Sequence, residues 1–113
     1  MRRLVLTLAV CAALTMTSAC GKDEGTQTVT GPDPARGRRM YIATCIVCHN
    51  IDPSKPGSQG PAVKGSSVEL LEAKVLRKTY PPGYKPQRTT SAMPTYPQVR
   101  KRIPDIAAFL AQP

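Results

Sequence analysis

Apolar side chains occur in separate stretches along this chain of 113 residues, and the first stretch differs from the others. It runs from Leu4 to Met16 with two threonines among its apolar side chains, behind the basic pair Arg2 and Arg3, and small side chains follow at residues 17–19. A positive start, a short apolar run and small residues at its end are typical of a secretory signal peptide. The run is shorter than the ~20 residues that a transmembrane helix needs. We therefore expect residues 1–19 to be a signal peptide that is removed on export.

The next residue, Cys20, directly follows Thr-Ser-Ala. This sequence resembles the lipobox of bacterial lipoproteins, with Thr17 where that motif usually has Leu. The resemblance implies that Cys20 is lipid-modified and anchors an exported protein to the periplasmic side of a membrane. Cleavage by ordinary signal peptidase is the alternative, and it would leave Cys20 as a free thiol.

The chain after Cys20 divides into a tether and one domain. Residues 21–32 contain three glycines and one large apolar side chain, too little to offset the entropy of ordering them. We therefore expect residues 20–32 to be a flexible tether and residues 33–113 to be a single folded domain.

Helical signals recur in residues 33–113. Asp33 is a good N-cap and Pro34 suits the first helical position, so a helix is expected from there to about Cys45. One face of this helix carries Gly37, Met40, Tyr41 and Thr44. A second helix is expected after the capping box of residues 66–69, Ser-Ser-Val-Glu. Its apolar face carries Val68, Leu71 and Val75. Pro104 opens a last short helix, whose core positions are Ile106, Phe109 and Leu110.

This all-α pattern leaves the core short of apolar volume. The chain has no Trp and one Phe, and two long irregular segments, residues 50–65 and 81–97, separate its helices. Three short helices enclose little apolar surface, and loops of this length are uncommon in so small a domain. A large apolar group is therefore expected at the centre.

A candidate attachment site for such a group is the sequence Cys45-Ile46-Val47-Cys48-His49. The spacing C-x-x-C-H is the attachment signature of c-type haem, in which two thiols form thioethers and the histidine is an axial ligand of the iron. Cys45 and Cys48 are thus the candidate attachment residues, and His49 is the candidate ligand for the one covalent haem c.

Three other roles are open to this pair of cysteines. A zinc site requires four ligands, and the exported chain offers only Cys45, Cys48, His49 and the distant Cys20. A thioredoxin-like redox pair belongs in a β-α-β context, which the helical and proline-rich surroundings do not provide. A structural disulfide between the two cysteines is the third.

The second axial ligand follows by elimination. His49 is the only histidine, and only Met40 and Met93 remain once the signal peptide is removed. Met40 precedes Cys45 on the same helix, on the side of the haem that the thioethers fix. Met93 lies in a loop before Pro94, and a thioether is an ordinary axial ligand that raises the potential of the iron. Met93 is therefore the expected ligand, with packing in the core as its alternative role.

Residues 33–112 resemble the class I cytochromes c, the mitochondrial-type and bacterial single-haem proteins. The resemblance rests on an ordered set of segments rather than on one motif. The set comprises Gly37-x-x-x-Tyr41-x-x-x-Cys45, the haem attachment sequence, Gly60-Pro61-Ala62-Val63 followed by Gly65, Met93-Pro94, and residues 105–110. Val63 stands where the family has Leu.

The resemblance implies a small cytochrome c fold wrapped around the haem. It also implies that Gly37 lets the last helix cross closely, and that the Pro61 carbonyl accepts a hydrogen bond from His49. Tyr80 or Tyr84 is a candidate to bond a haem propionate or the Met93 sulfur, with packing as the favoured alternative role.

We expect a one-electron carrier rather than an enzyme, because an iron held by His49 and Met93 has no open position. The alternatives are a haem-bearing subunit of a larger oxidoreductase complex, and a haem sensor or peroxidase-like protein in which Met93 does not bind.

Charge indicates the partners. Without residues 1–19 the chain keeps 14 basic and 7 acidic side chains, a net charge of +7. In an exported protein this favours acidic redox partners or anionic lipid over nucleic acid. The protein is expected to be a monomer or a subunit of a complex. A basic docking rim is expected from Arg36, Arg38, Arg39, Lys55, Lys64 and Lys85.

Overall fold

The computed structural model describes residues 30–113, and this part of the chain is helical without a strand. Helix α1 spans Pro34–Thr44, and α2 spans Val68–Leu71 and continues directly as a π-helical turn, Glu72–Leu76. A 3-10 helix, Pro97–Arg102, leads without a break into α3, Ile103–Leu110. The all-α prediction is confirmed for these residues. No helix among them is long and apolar enough to cross a membrane.

The signal peptide, the lipidated Cys20 and most of the tether were placed by the sequence in residues 1–29, which lie outside the described part. Residues 30–32, the end of the expected tether, are exposed and have no helical structure.

Helix α1 begins as the sequence predicts. The carboxylate of Asp33 accepts hydrogen bonds from the backbone N–H groups of Ala35 and Arg36, at 2.9 and 3.2 Å. Pro34 takes the first helical position, where its missing N–H removes no intrahelical bond. The helix ends at the residue before Cys45, so the attachment sequence starts where the regular turns stop.

The start of α2 differs from the expected capping box. Ser67 is the N-cap, and its hydroxyl accepts a hydrogen bond from the N–H of Leu70 at 3.2 Å. The Ser66 hydroxyl instead donates to the Val63 carbonyl at 2.7 Å. With the cap one residue later, Glu69 no longer stands where it can return a bond to the cap. The predicted pairing of Ser66 with Glu69 was therefore wrong, and Val68 is 39% exposed.

The last helix begins earlier than Pro104. Pro97 starts a 3-10 segment that the sequence analysis assigned to a loop, and α3 follows from Ile103. Pro104 is accommodated in the first turn of α3, where its missing N–H costs no intrahelical bond. Ile103, Ile106 and Leu110 are buried, and each is less than 5% exposed.

Helices α1 and α3 form the most extensive helix pair, and Gly37 lies where they cross. A Cβ atom at this position would overlap the backbone carbonyl of Asp105. Tyr41, one turn later on α1, is buried and packs against Phe109, with the centroids of the two rings 5.4 Å apart. The close crossing that the resemblance implied for Gly37 is confirmed.

A buried carboxylate joins the N-terminal ends of the same two helices. Asp105 is 4% exposed and accepts hydrogen bonds from Arg36, with Nε at 2.6 Å and Nη2 at 2.9 Å. It also accepts one from the backbone N–H of Asp33 at 2.9 Å. The hydrogen bond from Arg36 outweighs the effect of burial and lowers the pKa of Asp105 to about 2.

Candidate cofactor-binding site

An apolar cavity lies between the helices and the two long irregular segments. It encloses about 1220 Å³ of empty space, its opening to solvent included. Most helical residues that line it are apolar and include Leu71, Val75, Ile103, Ile106 and Leu110. No acidic side chain of the described residues lines it, so the cavity suits a large, mostly apolar ligand.

The two cysteines line this cavity directly after α1. The N–H of Cys45 still bonds the Tyr41 carbonyl at 2.8 Å, and the N–H of His49 bonds the Cys45 carbonyl at 2.9 Å. These bonds wind residues 45–49 into one further turn. Cys45 and Cys48 form no disulfide in this structure. Burial raises the pKa of the Cys45 thiol to about 11.

The imidazole of His49 also lines the cavity, in a defined orientation. Its Nδ1 atom lies 2.9 Å from the carbonyl oxygen of Pro61. A carbonyl can only accept, so Nδ1 donates this bond, and in the neutral ring the lone pair is then on Nε2, the arrangement that a metal-binding histidine needs. The hydrogen bond that the resemblance implied is present.

Two glycines hold the histidine in place. A Cβ atom on Gly60 would lie within 2.9 Å of three atoms of the His49 ring, and one on Gly57 would overlap the backbone of Cys48 and His49. The N–H of Gly60 bonds the Cys48 carbonyl at 2.9 Å, which draws this loop against the attachment turn. The sequence indicates Gly60 only as part of a motif and does not single out Gly57. The clustering of Gly and Pro in this segment was the available signal.

The structure places Met93, and not Met40, in the cavity. Met93 also lines a smaller adjoining space of about 270 Å³ together with Cys45, Cys48 and His49. The Tyr96 N–H bonds the Val75 carbonyl at 2.8 Å and so fixes the chain just after Met93. Met40 packs against the core from α1, where the Thr44 hydroxyl lies 3.5 Å from its sulfur.

The two tyrosines named from the sequence line another part of the cavity. The rings of Tyr80 and Tyr84 stack with centroids 5.3 Å apart and an interplanar angle of 9°. The ammonium of Lys74 lies 4.3 Å from the centroid of the Tyr80 ring. Lys74 and Arg88 are the cationic side chains of the cavity wall in the described residues, and the sequence analysis missed both.

Part of the expected basic rim is already neutralised. Arg36 forms an ion pair with Asp105, and the ammonium of Lys55 lies 3.4 Å from the carboxylate of Asp52. The remaining members are exposed: Arg38, Arg39, Lys64 and Lys85.

Residues 30–113 contain no group of three or more His, Cys, Asp or Glu side chains that could hold a metal ion. Comparison of the chain with models of known protein families, with curated proteins and with solved structures finds no match.

Proposed function

We propose that this protein is a one-electron carrier that holds one covalent haem c, with His49 and Met93 as axial ligands. One observation carries the proposal: a single apolar cavity is lined by Cys45, Cys48, His49 and Met93 together. These four residues come from two segments separated by about half of the described chain. Their meeting in one cavity is what a haem bound between the two segments requires.

The lining of the cavity fits this group in its largely apolar character and in its candidate ligands. A porphyrin supplies four nitrogen ligands to its iron, so the protein needs to supply only two side chains. A metal group of three or more His, Cys, Asp or Glu is therefore not required. The orientation of His49, with Nε2 unprotonated, matches the fifth ligand, and the half-buried Met93 thioether matches the sixth.

Cys45 and Cys48 would hold the haem by thioether bonds. In each addition the sulfur bonds one carbon of a vinyl group and the thiol hydrogen ends on the neighbouring carbon, so no oxidant or reductant is needed. The turn that the backbone bonds of residues 45–49 define keeps both thiols and the imidazole at the same cavity.

When bound, the haem supplies a reversible one-electron ferric–ferrous couple. His49 and Met93 would hold the iron, and the apolar side chains of α2 and α3 that line the cavity would keep water away from it. His49 is held by Pro61 and Gly60, so its position does not depend on the charge of the iron. The Met93 thioether and the apolar wall disfavour the ferric charge and raise the potential.

The charge of the domain supports acidic partners. Residues 33–113 carry 13 basic and 5 acidic side chains, a net charge of +8. Such a surface steers encounters with acidic proteins in a salt-dependent manner. A lipid on Cys20, if formed, would hold the carrier near partners in the same membrane and raise their effective concentration.

Redox-resolved visible spectra of membrane fractions test the proposal. We expect the spectrum of haem c, with the weak Met–iron charge-transfer band in the ferric form. A haem spectrum without this band, with rapid binding of carbon monoxide to the ferrous form, would instead favour a sensor or peroxidase-like protein. Co-purification in an intact oxidoreductase complex would identify a fixed subunit, which changes the partner and leaves the site unchanged.

A further inference from the structure

The cavity wall carries two cationic side chains, together with uncharged polar side chains of Thr, Ser and Gln residues. Lys74 and Arg88 contribute its two cations, and no Asp or Glu of residues 30–113 lines the cavity beside them. Arg88 is exposed and Lys74 is half-buried, so burial alone does not require a partner for either cation. Both nonetheless offer a favourable contact to an anion on a ligand in this cavity.

Lys74 occupies an inward position of its helix. It lies half-buried between the cavity-lining residues Leu71 and Val75, at a place where an apolar side chain would be expected. Its ammonium lies over the Tyr80 ring at 4.3 Å. Every ion pair in the described residues involves Asp33, Asp52 or Asp105, so the Lys74 ammonium has no carboxylate partner there.

Arg88 approaches the same cavity from the segment that carries Met93. One of its terminal nitrogens donates to the Gln59 carbonyl at 2.8 Å, and the neighbouring Gln87 amide donates to the Ala62 carbonyl at 3.1 Å. These bonds fasten the Met93 segment to the loop that holds His49. The bond to the Gln59 carbonyl uses one of the several N–H donors of Arg88, and its other donors remain available.

From these observations we infer that Lys74 and Arg88 bind the two carboxylates of the ligand, which in a haem are its propionates. The assignment rests on the proposed function and adds what the sequence motifs do not give, the residues that recognise the anionic side of the cofactor. It makes Arg88 a positioning residue as well, since the same side chain joins the two segments that carry the axial ligands.

The pairing has an electrical consequence. Each cation near the haem opposes the extra positive charge of ferric iron, so removal of one lowers the midpoint potential. An opposite charge within about 4–6 Å also lowers a carboxyl pKa by about 1–3 units, so its removal moves the propionate ionisation to higher pH.

The test uses the full-length haem-loaded protein and its K74Q and R88Q variants. The matched controls are R77Q and K85Q, which remove the same charge from exposed positions of the same two segments that do not line the cavity. Midpoint potentials are measured between pH 5 and 9, with the Met–iron band as a check on the axial ligand.

We expect K74Q and R88Q to lower the potential at pH 7 and to move its pH-dependent step upward by about one unit. The control variants should change neither the midpoint potential nor the pH of this step. The charge-conserving K74R and R88K should keep the wild-type pH profile, which separates loss of charge from loss of packing. Haem-loaded K74Q and R88Q variants that match R77Q and K85Q would overturn the assignment alone. A wild-type protein without porphyrin would overturn the proposed function, and the assignment with it.

Discussion

The Nδ1 atom of His49 lies 2.9 Å from the carbonyl oxygen of Pro61, and this contact determines which nitrogen of the ring faces the cavity. The protonated nitrogen is held by the backbone, and the nitrogen with the lone pair is left for a metal. Gly60 makes the contact possible, because its α-carbon lies against the imidazole and a Cβ atom there would lie within 2.9 Å of three ring atoms.

Gly60→Ala is therefore expected to displace His49. The imidazole has to move away from the methyl group and lose its bond to Pro61, so the yield of haem-loaded protein and the strength of the Met–iron band should both fall. Visible spectra normalised to protein mass measure this. Ser58→Ala, at an exposed position two residues earlier, is the matched control and should resemble wild type. A Gly60→Ala protein with a wild-type spectrum would show that the ring is not held in this way.

The two methionines provide a second comparison. Met93→Ala should open the sixth position, so that ferrous protein binds carbon monoxide rapidly and the potential falls, because the ligand that disfavours ferric iron is lost. Met40→Ala should keep the spectrum. Because Met40 is only half-buried, the variant should lower the free energy of unfolding by less than the ~2–5 kcal/mol that truncation of a fully buried methionine costs. Equal spectral changes in the two variants would show that the assignment of Met93 as the ligand is wrong.

The carboxylate of Asp105 predicts an acid-dependent loss of stability. Its pKa is about 2 in the folded protein against an ordinary 3.8. Because the folded pKa is depressed, its contribution is complete above about pH 4 and is lost as the pH falls through 2. Asp105→Asn should lower the free energy of unfolding at pH 7 by about 1.5–3 kcal/mol, the range for hydrogen bonds to charged groups.

Urea unfolding at pH 7, 4 and 2 tests this prediction. The difference between wild type and Asp105→Asn should be largest at pH 7 and shrink toward pH 2. Asp52→Asn is the control, since Asp52 pairs with an exposed lysine, and it should change stability by less than about 1 kcal/mol. A difference for Asp105→Asn that does not depend on pH would contradict the assigned ion pair.

Gly37→Ala tests the crossing of α1 and α3. Alanine is the better helix former by about 1 kcal/mol, so helix propensity alone predicts a gain in stability. The overlap of the new methyl group with the Asp105 carbonyl should reverse the sign and give a loss of about 1–3 kcal/mol, typical of overpacking. Arg38→Ala, at the exposed neighbouring position, should have little effect in thermal unfolding. A stabilised Gly37→Ala protein would mean that the helices do not meet as closely as described.

The sequence predicted features that depend on interactions between residues close together along the chain. Asp33 and Pro34 start α1 through bonds within the first turn, and Gly37 lies at the helix crossing that its pattern indicated. The capping box failed because two adjacent serines compete for the cap, and the bond of Ser66 to Val63 leaves Ser67 as the N-cap.

The parts that the sequence did not reveal depend on distant partners. Pro97 reads as the end of a loop, yet Val99 and Ile103 are buried against the core and turn the segment between them into helix. In the sequence, Lys74 and Arg88 are typical of solvent-exposed charges, and only the fold places both of them in the lining of one cavity. Gly57 contacts His49 only because the loop folds back onto the attachment turn, a contact that spacing alone does not indicate.

The mass of the purified exported protein tests the central claim most directly. We expect the wild-type chain to carry the mass of one haem in addition to its polypeptide, stable to acid denaturation, and the Cys45→Ala, Cys48→Ala double variant to carry none. A wild-type protein whose mass shows no added porphyrin would contradict the proposed haem attachment and the electron-transfer function that depends on it.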